Sequence, residues 1–337
     1  MGENTVKKIN ALAEKFNYES NESAFVPREY PPADEFVFHS SVKWEQVERI
    51  INAMSTNKAL GIDKVPIRVI KDSLPAILPS ITSIINAIFQ LATFPSHWKI
   101  AEVTPILKDG DHEIPNNNRP ISLLPVLLKV CERAAHDQLV SCLSSKQRLT
   151  TQQCGNKKWN STETALVQTT DFILQNIDKK ELIITAAVLL DMSKAFDSID
   201  HDILIMKLRD VGLSCSSIEW FKSYLSSRYQ VVKIQASISD QLPVTSGVPQ
   251  GSILGPLLFS IYTNDLSLVP KHCSTQSYVD DTKLLLNFRL KDQQNTVTKM
   301  NEDLQIFTNK LLLNPDMTVD HQSARLKAFT YPYRVTN

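Results

Sequence analysis

Residues 274–286 run Ser-Thr-Gln-Ser-Tyr-Val-Asp-Asp-Thr-Lys-Leu-Leu-Leu, two strand-like segments that meet at Asp280 and Asp281. Ser274 to Val279 and Thr282 to Leu286 are short apolar runs, and the two acids between them predict a tight antiparallel hairpin. Asp is a common turn residue, so an aromatic-x-Asp-Asp string taken alone has a plain structural explanation. Two adjacent carboxylates at a sheet edge are also what hard-metal chemistry needs.

A second acid sits at the end of another strand. Leu182 to Leu190 is a nearly unbroken apolar run ending in Asp191, the pattern of a strand buried on both faces that delivers a carboxylate at its tip. The chain then reads Asp191-Met-Ser-Lys-Ala-Phe-Asp197 before a helix that starts near Asp200-His201. Taken alone, Asp191 reads as well as a cap for the following segment. Three carboxylates within about 4 Å would repel by roughly 4 kcal/mol per pair at an effective dielectric near 20. Divalent cations remove that cost, and oxygen ligands select Mg²⁺, with Mn²⁺ as substitute. Two such ions suit nucleotidyl transfer, one activating a primer 3′-hydroxyl and the other holding the triphosphate.

A third element is Ser246-Gly-Val-Pro-Gln-Gly-Ser-Ile-Leu-Gly-Pro256, which holds three of the chain's eight glycines. Gly and Pro let such a backbone approach a flat ligand and then open a helix, while Gln250 offers both donor and acceptor. An ordinary loop leading into a helix N-terminus fits the same residues.

These three segments resemble the palm motifs of reverse transcriptases. Asn118-Arg-Pro-Ile-Ser-Leu-Leu124 and the region from Trp98 to Gly110 narrow the likeness to retrotransposons lacking long terminal repeats, of the jockey and chicken-repeat kind, over about Trp44 to Pro315. The resemblance implies an RNA-directed DNA polymerase with an RNA template, a DNA primer and deoxynucleoside triphosphates as partners. It implies that Asp191, Asp280 and Asp281 hold two Mg²⁺ ions. Phe196 would exclude a 2′-hydroxyl, Gln250 and Gly251 would floor the nucleotide site, and Arg119 and Tyr278 would lie at template and primer. Asp197 matches no metal ligand and reads as a structural capping acid. In the Gln153 to Thr162 segment, Lys157 or Lys158 matches a basic residue that reaches the triphosphate. For Phe196 a packed core ring, and for the two lysines a solvated loop, remain open readings.

The implied fold is α+β, a right-hand fingers and palm whose antiparallel sheet packs on helices, with the thumb largely missing. The expected organisation is a tail or linker over 1–43, a helical region over 44–100, fingers and palm over 101–290, and a palm-end helix with a divergent C-terminus over 291–337. Met317 stands where the family usually has a lysine after Asn314-Pro-Asp316, and Thr318 to Asn337 no longer resembles it. These departures imply a fragment of a mobile element with weak stand-alone activity. A catalytically inactive nucleic-acid-binding remnant is the alternative, and an RNA-dependent RNA polymerase a third reading that Phe196 disfavours.

Composition sets the frame. The chain has 337 residues, 42% hydrophobic, with Lys+Arg and Asp+Glu both 36, so no overall positive field marks a nucleic-acid binder. Any polyanion track is local, and residues 99–160 carry nine Lys+Arg against six Asp+Glu. Five widely spaced cysteines without a CxxC pair fit reduced thiols, and no pair of histidines has metal-ligand spacing. The polar N-terminus carries no secretory signal, so the expected setting is nucleus or cytoplasm. Ser73 to Ser96 is free of charge, but its isoleucines recur at helical spacing, which predicts a packed helix and no membrane partner.

Overall fold

A computed structural model describes residues 34–39, 41–155, 160–177, 183–311, 318–319 and 325–329. In chain order the elements are α1 (Trp44–Ala53), α2 (Ile67–Gln90), β1 (Ile100–Leu107), β2 (Asn118–Leu123), α3 (Val126–Ser145), α4 (Thr162–Ile177), β3 (Ile183–Leu190) and β4 (Met192–Ser193). They continue with α5 (His201–Asp210), α6 (Cys215–Leu225), β5 (Arg228–Ile234), β6 (Ser237–Ile238), β7 (Leu242–Val244) and α7 (Gly255–Tyr262). The hairpin β8 (Ser274–Tyr278) and β9 (Asp281–Arg289) precedes α8 (Gln293–Leu311), β10 (Thr318–Val319) and β11 (Arg325–Phe329). This is an α+β fold.

The apolar run of β3 takes the centre of a four-stranded antiparallel sheet, in the order β11-β3-β9-β8. Its residues Ile184 to Val188 and Leu190 are buried, as a strand paired on both edges and covered on both faces requires. A second sheet runs β2-β1-β5-β6, with β1 and β5 parallel and β7 also on β5. β2 is hidden in sequence by Pro120, which has no N–H to give a ladder. It is tolerated because β2 is an edge strand.

Helix α2 begins at Ile67, ahead of the Ser73 to Ser96 run expected as a packed helix. It is one continuous helix with Pro75 and Pro79 inside it. Interior prolines cost about 3 kcal/mol each. Burial of Ile67, Ile70, Leu74, Leu78, Ile81, Ile85 and Ile88 outweighs this at about 1.5–3 kcal/mol per side chain. By length and composition α2 could cross a membrane. Its apolar stripe is used in the core, against α1 and α3.

The end of the expected N-terminal linker is also core. Phe36, Phe38 and Val42 are buried, and Phe36 bridges to the loop after α5 through its N–H to Gly212 O (2.8 Å) and its carbonyl from Ser214 N–H (3.0 Å). Phe38 stacks on Phe89 of α2 with centroids 4.9 Å apart, and meets Trp220 of α6 at the same distance. Two isolated aromatics after a proline-rich stretch carry no periodicity, so nothing local announced this packing. The start of α1 carries no side-chain cap: Lys43 occupies its N-cap position.

Candidate active site

The sheet register brings the three acids to one end of it. β3 and β9 pair antiparallel up to Leu190 opposite Thr282, so Asp191 leaves β3 at the end of the sheet where Asp281 opens β9. On the other side of β9, Tyr278 pairs with Asp281, leaving Val279 and Asp280 as a two-residue turn. Asp280 is therefore one residue from the Asp191–Asp281 juxtaposition. Burial pushes the Asp281 carboxyl above its ordinary range, and the charges of Asp280 and Asp191 push it further, against the pull of Lys283 and Lys108. The acids thus share one electrostatic site although the chain separates Asp191 from the other two by some 90 residues.

Among the described residues, no three His, Cys, Asp or Glu side chains close into a metal cage. The site is an open group of hard oxygen donors.

The loop between β7 and α7 is sewn to the segment after Asp191. Val248 N–H donates to Phe196 O (2.9 Å), Gly247 N–H to Ile199 O (2.7 Å), and His201 Nε2 lies 2.8 Å from Gly247 O. Gln250 Nε2 donates to Asp197 Oδ2 (2.8 Å). Asp197 is therefore no helix cap; Asp200 caps α5 by accepting from Ile203 N–H (2.8 Å), and Asp197 orients Gln250 instead. Burial raises the Asp197 carboxyl, opposed by that Gln250 hydrogen bond and by Lys194. On its other side the loop meets β2, where Ser122 N–H donates to Gln250 O (2.7 Å). Gly251 has φ +123°, and a Cβ there would stand 2.7 Å from Ser122 O, so only glycine fits this contact.

Phe196 is half-buried and stacks on Phe259 of α7 with centroids 5.0 Å apart. Its ring is thus packed against α7 while the residue keeps part of its surface accessible. Arg119 is exposed on β2, opposite Ile106 of β1, and Tyr278 is half-buried at the end of β8. Lys157 and Lys158 lie outside the described residues, as does Met317.

Two supporting residues carried no signal of their own in the sequence. Glu132, fully buried on α3, accepts from Tyr224 Oη (2.5 Å) and from Ile253 N–H (2.8 Å), tying the Gln250 loop to two helices. Gln153, also buried, grips the turn between β8 and β9. A polar residue inside an amphipathic helix or a loop is ambiguous until its tertiary partners are known.

Residues 106–318 match the family model described as reverse transcriptase (RNA-dependent DNA polymerase). The chain belongs to the reverse transcriptase family. It is 34% identical over 252 residues to the probable RNA-directed DNA polymerase from transposon BS of Drosophila melanogaster, a match covering 72% of this chain and 28% of the relative. Identity is 35% over 222 residues to the corresponding protein of transposon X-element (66% and 24%), and 30% over 257 residues to that of mobile element jockey (73% and 27%), both from the same organism. The chain spans about a quarter of the length of these curated relatives. It carries a reverse transcriptase domain of the retrotransposon kind that lacks long terminal repeats.

Proposed function

We propose that this chain catalyses RNA-directed DNA synthesis, adding deoxynucleotides to a DNA primer along an RNA template. The observation that carries the reading is the juxtaposition of Asp191, Asp280 and Asp281 at one end of the β3-β9-β8 sheet. The primer 3′-oxygen bonds the α-phosphorus of the incoming triphosphate as the bond to the departing pyrophosphate breaks. Asp191, Asp280 and Asp281 would hold two Mg²⁺ ions, or Mn²⁺, which when bound supply Lewis-acid stabilisation of attacking and leaving oxygens.

The remaining residues bind and orient. Phe196, braced from below by Phe259, presents a ring edge that a ribose 2′-hydroxyl would strike. Gln250, oriented by Asp197, and Gly251, flush against Ser122, make a flat floor for nucleotide and template. Exposed Arg119 on β2 and Tyr278 beside the acids are assigned to template and primer, and Lys157 or Lys158 to the triphosphate. In this reading the β2-β1 hairpin belongs to the fingers and the β11-β3-β9-β8 sheet to the palm, with the protein working in the nucleus or the cytoplasm.

Primer extension tests it. The purified chain is given an RNA template, a DNA primer, Mg²⁺ and either deoxynucleotides or ribonucleotides. Incorporation of deoxynucleotides that Asp280→Asn abolishes is the expected result. Incorporation unchanged by that substitution refutes the metal assignment, preference for ribonucleotides points to an RNA polymerase, and salt-sensitive binding without turnover identifies an inactive remnant.

A further inference from the structure

The turn that carries Asp280 is held in a conformation its own sequence disfavours. Val279 has φ +57°, in the left-handed region that β-branched residues avoid and that hairpin turns normally give to Gly, Asn or Asp. Such a residue persists only where its surroundings over-determine it.

A single side chain supplies that determination. The Gln153 carboxamide takes both backbone groups of Val279: its Oε1 accepts from Val279 N–H (2.9 Å) and its Nε2 donates to Val279 O (2.9 Å). The same Oε1 accepts from Gly155 N–H (2.9 Å), which fixes which end of the amide is oxygen. The backbone on either side is docked as well, Cys154 N–H to Ser277 O (2.8 Å) and Ser277 N–H to Gln152 O (2.9 Å), so Gln152–Cys154 extends the β8 edge. Gly155 lies so close that a Cβ would stand 2.4 Å from Val279 N. Gln153 itself is 5% exposed, and water does not compete for these bonds.

We infer that Gln153 is a positioning residue for catalysis, holding the Val279–Asp280 turn so that Asp280 and Asp281 face Asp191. It touches none of the three acids and acts only through the Val279 backbone. The geometry discriminates among substitutes. Glu keeps the acceptor for both N–H groups but has no donor for Val279 O, Asn is one methylene short, and Met fills the volume with neither function. Without the clamp, Val279 relaxes toward negative φ and the Asp280 carboxylate swings with the peptide plane. This inference rests on the proposed role of the three aspartates.

The 337-residue chain is compared as wild type, Gln153→Glu, Gln153→Met, Asp280→Asn, and the double variant Gln153→Met with Val279→Gly. Thermal melting reports folding, electron paramagnetic resonance reports Mn²⁺ binding without substrate, and single-nucleotide extension gives kcat and KM. Gln153→Met is expected to weaken Mn²⁺ binding and lower kcat by about 10–100-fold, the range for supporting partners of metal ligands, with KM for the nucleotide changed less than about twofold. Gln153→Glu falls between Met and wild type, and serves in its place if the Met variant does not fold. Val279→Gly, which accepts positive φ without strain, recovers about tenfold of the lost kcat in the Met background. If Asp280→Asn abolishes binding and extension while neither Gln153 variant moves them, the clamp inference falls alone. If Asp280→Asn changes nothing, the metal reading falls and takes the clamp with it. Loss of kcat that merely tracks the melting temperature and is not recovered by Val279→Gly also overturns it.

Discussion

Replacing Glu132 by Ala should destabilise the whole chain by about 2–6 kcal/mol, the cost of stranding two buried hydrogen-bond donors. The carboxylate is fully buried and takes two protons' worth of hydrogen bonding, from Tyr224 Oη and Ile253 N–H. Both donors are left stranded by the truncation, at about 1–3 kcal/mol each. Arg228, 2% exposed and stacked over the Tyr224 ring at 4.9 Å, belongs to the same buried cluster, and its Nη2 has no hydrogen-bond partner among the described residues. Gln should cost less, about 1–2 kcal/mol, because its amide keeps the shape and one acceptor. Burial pushes the Glu132 carboxyl above its ordinary 4.5, only partly opposed by Tyr224, Ile253, Arg228 and Lys129. The folded state therefore keeps this proton to higher pH than the unfolded chain. Its contribution is fully present below about pH 4.5 and is lost as pH rises through the raised value. Urea unfolding of wild type, Glu132→Ala and Glu132→Gln at a series of pH values measures both effects. An Ala variant within about 1 kcal/mol of wild type, or a Gln variant with the same pH slope as wild type, would refute the reasoning.

Phe196→Ala should raise ribonucleotide over deoxynucleotide incorporation by about 10–100-fold, the discrimination one hydroxyl-sized contact supplies, while loss of the Phe259 stack costs about 0.5–1.5 kcal/mol; competition assays with paired nucleotides read the ratio, and an unchanged ratio makes Phe196 a packing residue only. Asp303 accepts three backbone N–H bonds, from Lys271, His272 and Cys273 at 2.7–2.8 Å, in the loop that leads into β8. Burial alone would raise its carboxyl, but these donors pull it below 3.8, so its contribution is present above about pH 3.8 and is lost as pH falls through the lowered value. Asp303→Asn should cost about 2–3 kcal/mol at neutral pH and flatten acid unfolding, both measurable by urea titration, and an unshifted midpoint contradicts it.

The parts of this fold legible in sequence are those whose pattern is local. The apolar run ending in Asp191 sets a buried strand, and Asp280-Asp281 between two short runs sets a hairpin, although the turn falls one residue earlier, at Val279–Asp280, with Asp281 already paired to Tyr278. The meeting of the acids follows from the β3–β9 register, which no single segment contains. β2 was hidden by Pro120, whose tolerance depends on being at an edge. The unity of α2 was hidden by Pro75 and Pro79, whose cost is overcome only by burial against other helices. Asp197 read as a cap because an acid before a helix usually is one, yet Asp200, three residues on, does that work and leaves Asp197 to Gln250. Glu132 and Gln153 are polar residues whose partners lie about 90 or more residues away, beyond the reach of any pattern rule.

The pairing of β3 with β9 closes a chain loop of about 90 residues, an entropic toll that must be met before the ladder rewards it. On a ribosome adding about 5–20 residues per second, β3 waits roughly 5–20 s for its partner to be made. Through that interval Ile184 to Leu190 is an apolar ribbon with both edges bare, the state most exposed to self-association. Nascent molecules thus lack the Asp191–Asp281 meeting and are vulnerable as polypeptides at the same moment, and slowed synthesis at low temperature or chaperone cover acts on this one step.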